Sequence, residues 1–121
     1  MKYIKTYEKM YFKDKIKMII PESYLIFSYN SYDFKDNKYY DFLILGKIKS
    51  LPYEKYANSF VDIIVISFIT NKIDKKLYKN AFNIDMLKPI KRSNSLEQIK
   101  IFFEEEKEKW NLKNNMNKYN L

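Results

Sequence analysis

Lysine side chains are the most numerous reactive groups in this chain, and they are concentrated in two segments. Residues 1–20 carry six lysines against two acids, a net charge of +4, and residues 71–93 carry six lysines and Arg92 against two acids, a net charge of +5. Clustered cations of this kind bind phosphate groups. The sequence therefore predicts a basic surface that docks on nucleic acid or a nucleoprotein complex. Its predicted cations are Lys13, Lys15, Lys17, Lys72, Lys75, Lys76, Lys79, Lys88, Lys91 and Arg92.

Tyrosines lie beside these lysines in the sequence. Tyr7 and Tyr78 have aromatic rings next to positive charge, so they could stack on bases or anchor a protein interface. The alternative is that the tyrosines fill the core and the lysines form a solvated face. Codon usage in an AT-rich genome favours the same mixture of Lys, Asn, Ile and Tyr, so the net charge of +8 has two interpretations.

The kind of cation limits the kind of recognition. Arginine is favoured where carboxylates or bases are bound by two parallel hydrogen bonds, yet Arg92 is the only arginine among 23 basic residues. We therefore expect non-specific phosphate contact, or contact with an acidic protein surface.

The usual catalytic groups are scarce. The chain has no histidine and no cysteine, which removes the commonest general base, the thiolate nucleophile and most transition-metal ligands. A single glycine excludes a glycine-rich phosphate loop. Asp33 and Asp36 lie in an Asn-rich stretch that is typical of turns rather than of cation sites. The sequence thus favours a non-enzymatic protein without a cofactor or a metal.

Short apolar runs separated by turn residues predict a β-rich fold. The predicted strands cover residues 13–20, 23–29, 38–50, 60–71 and 81–90. Residues 60–71 are the most apolar and β-branched run, so we predict that they form the central strand, covered on both faces. Gly46 lies inside a strand pattern, where a lone glycine marks a bulge or bend.

Two helical patterns flank the strands. Residues 3–12 show helical spacing of apolar side chains, although a strand would also fit. The Ser95 and Gln98 side chains match a capping box before a helix over residues 96–112, whose apolar face carries Leu96, Ile99 and Phe103. Residues 111–121 are rich in asparagine and are predicted to fray.

These elements predict one globular domain over residues 1–110, of the α+β class. Its sheet is small, antiparallel and strongly bent, or an SH3- or OB-like barrel of about five strands, with a C-terminal helix and a short N-terminal helix. Residues 1–10 lack the apolar stretch of a secretory signal, and no run is long enough to span a membrane. We therefore expect a cytoplasmic protein that does not bind membranes.

The run Asp62-Ile-Ile-Val-Ile-Ser-Phe-Ile-Thr-Asn-Lys72 resembles the strand ending in Thr or Ser in the MazF/PemK group of ribonuclease toxins. Those toxins have an SH3-like barrel and a C-terminal helix, and the resemblance covers the element order over residues 24–103. It implies RNA cleavage with Arg92 and Thr70 as the catalytic residues. The Gly-Asp opening of that family is absent from this chain.

Three functions follow, in order of preference. The first is a small non-enzymatic binding protein that acts by occupying a surface, in the manner of inhibitors encoded by phages and other mobile elements. The second is an inhibitor of a protein partner, of the immunity or antitoxin type. The third is the ribonuclease. The sequence leaves the oligomeric state open.

Overall fold

The protein folds into a five-stranded antiparallel sheet, curled into a half-barrel, with one C-terminal helix. This computed structural model describes residues 17–50, 60–72, 75–77 and 80–119. It confirms the predicted α+β class. The helix predicted at residues 3–12 lies outside the described residues, and the single domain over residues 1–110 stays a prediction.

The sheet contains five strands in the order β4-β3-β2-β1-β5. The elements are β1 (Tyr24–Asp33), β2 (Lys38–Ile48), β3 (Phe60–Thr70), β4 (Ala81–Asn83), β5 (Leu87–Ser93) and α1 (Leu96–Tyr119). The prediction that residues 60–71 form the central strand, covered on both faces, is therefore wrong. β2 is central. The outward side chains of Ile64 and Ile66 in β3 stay exposed because α1 packs mainly on β5, β1 and β2, and Ile69 alone of the apolar outward residues of β3 reaches the outer core.

Alternation along the strands divides the apolar side chains between two cores. The inner core lies on the concave face, and the outer core lies between the sheet and α1. The inner core consists of Ile19, Leu25, Phe27, Tyr29, Phe42, Ile44, Ile48, Val61, Ile63, Phe82, Ile84 and Leu87. The outer core consists of Ile26, Leu43, Leu45, Ile99 and Phe103. Each such buried side chain contributes about 1.5–3 kcal/mol to folding.

The prediction of one strand over residues 81–90 is wrong. These residues contain a turn between two strands, β4 and β5. The Asn83 side chain accepts the Asp85 N–H at 2.9 Å, and the Asn83 carbonyl accepts the Met86 N–H at 3.1 Å. β4 pairs with β3, whereas β5 pairs with β1 on the other side of the sheet. The Phe82 ring connects β4 with β1 across the inner core. It packs edge-on against the Phe27 and Tyr29 rings, with 5.1 Å between the ring centroids in each pair.

The strand predicted at residues 13–20 is also wrong where the structure describes it. Lys17 and Met18 are helical, and the next two residues have no regular structure. A turn explains this, because the Ser23 N–H and hydroxyl both donate to the Ile20 carbonyl, at 3.2 and 2.6 Å. The chain thus turns back at Pro21 before it enters β1.

The predicted bulge at Gly46 is confirmed. Gly46 pairs with Val65 and the preceding Leu45 pairs with Ser67, so Ile66 is an extra residue in β3. A Cβ atom on Gly46 would collide with the Ile63 side chain and lie 3.1 Å from the Ile64 carbonyl oxygen. The sheet bends here because only glycine leaves room for the approach of β3.

The helix begins as the sequence predicts. The Ser95 hydroxyl accepts the Gln98 N–H at 3.3 Å. The Gln98 side chain does not reach the Ser95 N–H, which donates instead to the Ser93 hydroxyl at 3.0 Å. The helix continues to Tyr119, beyond the predicted end at residue 112.

We predict that Gly46→Ala destabilises the fold by about 1–3 kcal/mol, because the added methyl group overpacks the bulge. Chemical denaturation of the variant measures the loss. Ile63→Ala should cost about 2–5 kcal/mol alone, but it removes the colliding group. The double variant should therefore lose less stability than the sum of the two single losses, and a purely additive result would contradict the steric explanation.

Candidate functional site

Three aromatic side chains project from the end of the β1–β2 hairpin, and we call them the aromatic tip: Tyr32, Phe34 and Tyr39. They are 37%, 85% and 60% exposed. The Tyr32 ring lies between the other two, with its centroid 5.0 Å from that of Phe34 and 4.9 Å from that of Tyr39. Large apolar rings exposed together are unusual on a protein surface, and they are typical of contact sites.

Hydrogen bonds within the hairpin hold the aromatic tip in place. The Asp33 carboxylate accepts the Lys35 N–H at 2.8 Å, which closes the turn. The Tyr32 hydroxyl donates to the Asn37 side chain at 2.8 Å. The Tyr40 hydroxyl donates to Asp36 at 2.7 Å, and this bond raises the pKa of Tyr40 above its ordinary value. The predicted role of Asp33 as a turn former is confirmed, and Asp36 lies within the same turn.

An ion pair joins the hairpin to the segment after β3. The Lys72 ammonium lies 3.0 Å from the Asp33 carboxylate, and the two side chains are only 18% and 15% exposed. The hydrogen bond from Lys72, assisted by the one from the Lys35 backbone, lowers the pKa of Asp33. Lys72, a predicted phosphate ligand, is thus engaged inside the protein.

The ends of β2 and β3 are fastened beside this ion pair. The Thr70 hydroxyl donates to the Asp41 carbonyl at 2.8 Å, and the Asn71 side chain accepts the Asp41 N–H at 3.0 Å. The Asp41 carboxylate accepts a hydrogen bond of 2.7 Å from Asn30. The hairpin and the segment after β3 therefore form one rigid end of the half-barrel.

A cavity of about 380 Å³ opens at this end. Its wall combines rings and cations: Tyr32, Phe34 and Tyr40 line it together with Lys72 and Lys76. A volume of this size accommodates one planar ring system. The arrangement can hold a flat aromatic group against Phe34 and place a lysine near an attached anion.

Free cations lie beside the aromatic tip in the hairpin. Lys35 and Lys38 are exposed and form no ion pair with another described residue. Lys75 is also exposed, in the segment after β3. The aspartates of the hairpin are engaged by Lys72, Tyr40 and Asn30. An incoming phosphate would therefore meet unpaired ammonium groups at the rim.

The predicted basic residues that the structure describes lie in three places. Lys72, Lys75 and Lys76 lie at the hairpin end, and Lys72 and Lys76 share the cavity with Phe34. The β5 residues lie farther along the sheet. Lys17 is exposed at the first described position. The other predicted residues lie outside the described part of the chain: Lys13, Lys15, Lys79, Tyr7 and Tyr78.

The cations of β5 are partly engaged with neighbours. The Lys91 ammonium lies 3.8 Å from the centroid of the Phe102 ring on α1, which is a cation–π contact. Arg92 donates to the Asn94 side chain at 3.2 Å. Lys88 lines a smaller cavity of about 260 Å³ with Trp110.

The two residues implied by the ribonuclease resemblance do not share a row of the sheet. Arg92 lies in β5, in the row of Leu25, whereas Thr70 lies in β3, in the row of Tyr29. β1 and β2 separate the two strands. Each side chain has a local partner, Asn94 for Arg92 and the Asp41 carbonyl for Thr70.

The aromatic tip was missed by the sequence reasoning. The sequence predicts a turn over residues 30–37 because of their Asp and Asn content and a strand from residue 38, and it assigns no role to the rings of Tyr32, Phe34 and Tyr39. A signal was present, since Tyr32 and Phe34 alternate with Asp33, while Tyr39 follows at the start of the next strand. In a hairpin, that spacing places the rings on one face.

No family model, curated protein or solved structure matches the chain. Across residues 17–50, 60–72, 75–77 and 80–119, no group of three or more Asp or Glu side chains is placed to hold a metal ion. Within those same ranges, no helix combines the length and the apolarity needed to cross a membrane.

We predict that the ion pair of Asp33 makes folding stability pH-dependent in acid. Because its pKa is lowered on folding, the stabilisation is present above the ordinary Asp pKa of about 3.9 and is lost as the pH falls below it. Wild type should exceed Asp33→Asn in urea midpoint by a constant margin at neutral pH, and the margin should vanish in acid. Lys72→Met should behave like Asp33→Asn, and a margin that persists in acid would contradict the ion pair as its source.

Proposed function

We propose that this protein is a non-enzymatic binding protein that docks on single-stranded nucleic acid, free or within a nucleoprotein complex. The observation that supports the proposal is the aromatic tip with free lysines at its rim. The proposal keeps the function predicted from the sequence, but it moves the main contact to the β1–β2 hairpin.

The aromatic tip suits unpaired bases. Proteins that bind single strands without sequence preference stack successive bases on exposed rings, and each stacked base is worth about 1–3 kcal/mol. Phe34 is 85% exposed, so its ring is available at little cost in desolvation of polar groups. The edge-on contact with Tyr32 fixes the orientation of the ring before any base arrives.

The surrounding charges suit phosphate. Lys35 and Lys38 flank the rings in the sequence, and Lys75 and Lys76 lie in the segment that the ion pair of Asp33 fastens to the hairpin. Phosphate contacts of lysine attract the backbone without reading the bases. We therefore expect binding that tolerates any sequence and that weakens as salt is raised.

A duplex is the poorer ligand in this proposal. Its bases are stacked on each other and cannot reach the rings of the aromatic tip, so only the phosphate contacts remain. The protein should prefer single strands to a duplex of the same length, and should leave both uncut.

We predict that Phe34→Ala weakens binding to a fluorescent oligothymidylate by roughly 5- to 150-fold, the equivalent of one lost stacking contact. Fluorescence anisotropy at fixed salt measures the affinity. Because Phe34 is almost fully exposed, the variant should keep the wild-type denaturation midpoint.

Phe60→Ala is the matched control. Phe60 is also an exposed aromatic residue, 44% accessible, but it lies at the start of β3 and outside the aromatic tip. The affinity of this variant should equal that of wild type. Equal losses in both variants, or no binding by wild type at low salt, would contradict the proposal and favour the inhibitor of a protein partner. Cleavage of RNA that Arg92→Ala abolishes would favour the ribonuclease.

A further inference from the structure

A cavity of about 260 Å³ lies between α1 and strands β1, β2 and β5, and we call it the Trp110 cavity. Trp110 and Met86 are among its apolar lining residues. Its polar lining comes from the strands and from the helix: Ser28, Asn30, Asp41, Lys88, Lys113 and Asn114. A cavity that combines an aromatic wall with a few convergent polar groups is typical of a ligand site.

The course of α1 brings Trp110 to this place. The helix starts just after β5, beside the row of Tyr24. From its first residue to Trp110 the helix spans about 21 Å, which matches the distance of about 20 Å from Tyr24 to Asn30 along β1. Trp110 therefore lies beside Asn30 in the lining of the cavity. Lys113, one helical turn later, shares the same face of the helix.

The cavity continues the surface of the aromatic tip. Ser28, Asn30 and Tyr32 alternate along β1, so their side chains lie on one face of the sheet. Asn30 pairs with Asp41, and Tyr32 pairs with Tyr39 of the aromatic tip. The row of Asn30 lies about 7 Å along β1 from the row of Tyr32. A nucleic-acid strand that docks on the aromatic tip can therefore continue into the Trp110 cavity.

Two lysines give the cavity positive charge. Lys88 belongs to β5, in the row of Ser28, and Lys113 belongs to α1. Both are exposed, and neither forms an ion pair with another described residue. Ammonium groups from two different elements can thus bind an anion such as a backbone phosphate.

Asp41 limits which base can enter. Among the described residues that line the cavity it is the one acid. Its Oδ1 accepts a hydrogen bond of 2.7 Å from the Asn30 amide, and its second oxygen accepts none from another described residue. A carboxylate can only accept hydrogen bonds, so a ligand must donate to it. The amino group of cytosine is such a donor, whereas thymine and uracil carry a carbonyl oxygen at that position.

We propose that the Trp110 cavity binds one cytosine nucleotide of a single strand that is docked on the aromatic tip. The base lies against Trp110 and donates its amino hydrogens to Asp41, while Lys88 and Lys113 bind the adjoining phosphate. The size of the cavity suits a single ring rather than a purine. This inference rests on the proposed function, and it adds a base preference that the aromatic tip alone does not have.

Oligonucleotides of deoxycytidine and deoxyuridine test the cavity, because their bases differ only at the edge that faces Asp41. Fluorescence anisotropy at fixed salt and neutral pH should show wild type binding the cytosine strand at least about tenfold more tightly, the equivalent of one hydrogen bond to a charged group. Asp41→Asn should bring the two affinities close together, since an amide both donates and accepts. The variant keeps the hydrogen bonds that Thr70 and Asn71 form with the backbone of Asp41. Lys88→Gln should weaken binding to both strands alike.

Asp62→Asn is the matched control. Asp62 is also an exposed strand aspartate, and its carboxylate accepts a hydrogen bond of 3.3 Å from the Ser50 hydroxyl. It lies in β3, outside the Trp110 cavity. This variant should keep the wild-type preference for the cytosine strand.

Trp110 is the only tryptophan in the chain, so its fluorescence reports on the cavity directly. A saturating cytosine strand should quench it by stacking, in wild type and in Phe34→Ala. Unchanged fluorescence with equal affinity for the two strands, or a preference that Asp41→Asn preserves, would overturn this inference. If Phe34→Ala still weakens binding in that case, the proposed function stands. A protein that binds neither strand would overturn both.

Discussion

A link of three residues joins β4 to β5, and this short connection forces the sheet to curl. Asn83 pairs with Phe60 at the start of β3, whereas Leu87 pairs with Tyr29, in the row of Thr70 at the end of β3. In a flat sheet, those two ends of β3 would be about 33 Å apart. The four chain steps from Asn83 to Leu87 span at most about 14 Å. The fold is therefore possible only because β3 bends back over β1, which Gly46 permits.

The curl determines which surfaces are buried. It encloses the inner core on the concave face, where Phe82 packs on Phe27 and Tyr29, and it leaves one convex face for α1. The helix is narrower than the sheet, so it packs mainly on β5, β1 and β2 and leaves Ile64 and Ile66 on the outward side of β3 exposed. The exposure of Ile64 is thus a consequence of the same geometry that builds the core.

The hairpin end depends on polar contacts instead. The ion pair of Asp33 and Lys72 and the hydrogen bonds of Asp41 tie β1, β2 and the segment after β3 into one unit. Because these polar groups are paired with one another, they hold the hairpin that carries the aromatic tip. The rings of Phe34 and Tyr39 remain exposed to solvent.

The sequence by itself determined the features that depend on neighbours along the chain. The bulge at Gly46, the cap at Ser95, the turn at Asp33 and the apolar face of α1 were all predicted, because each is set within a few residues. Only the tertiary structure decided that β2 is central, since β2 and β3 are apolar runs of equal length and nothing local shows which one the helix covers. The turn between β4 and β5 was missed for the same reason, because its strands pair with partners far away in the chain. Exposure of the aromatic tip is likewise a tertiary result: aromatic rings are typical of cores, and only the fold shows that Phe34 and Tyr39 are mostly exposed.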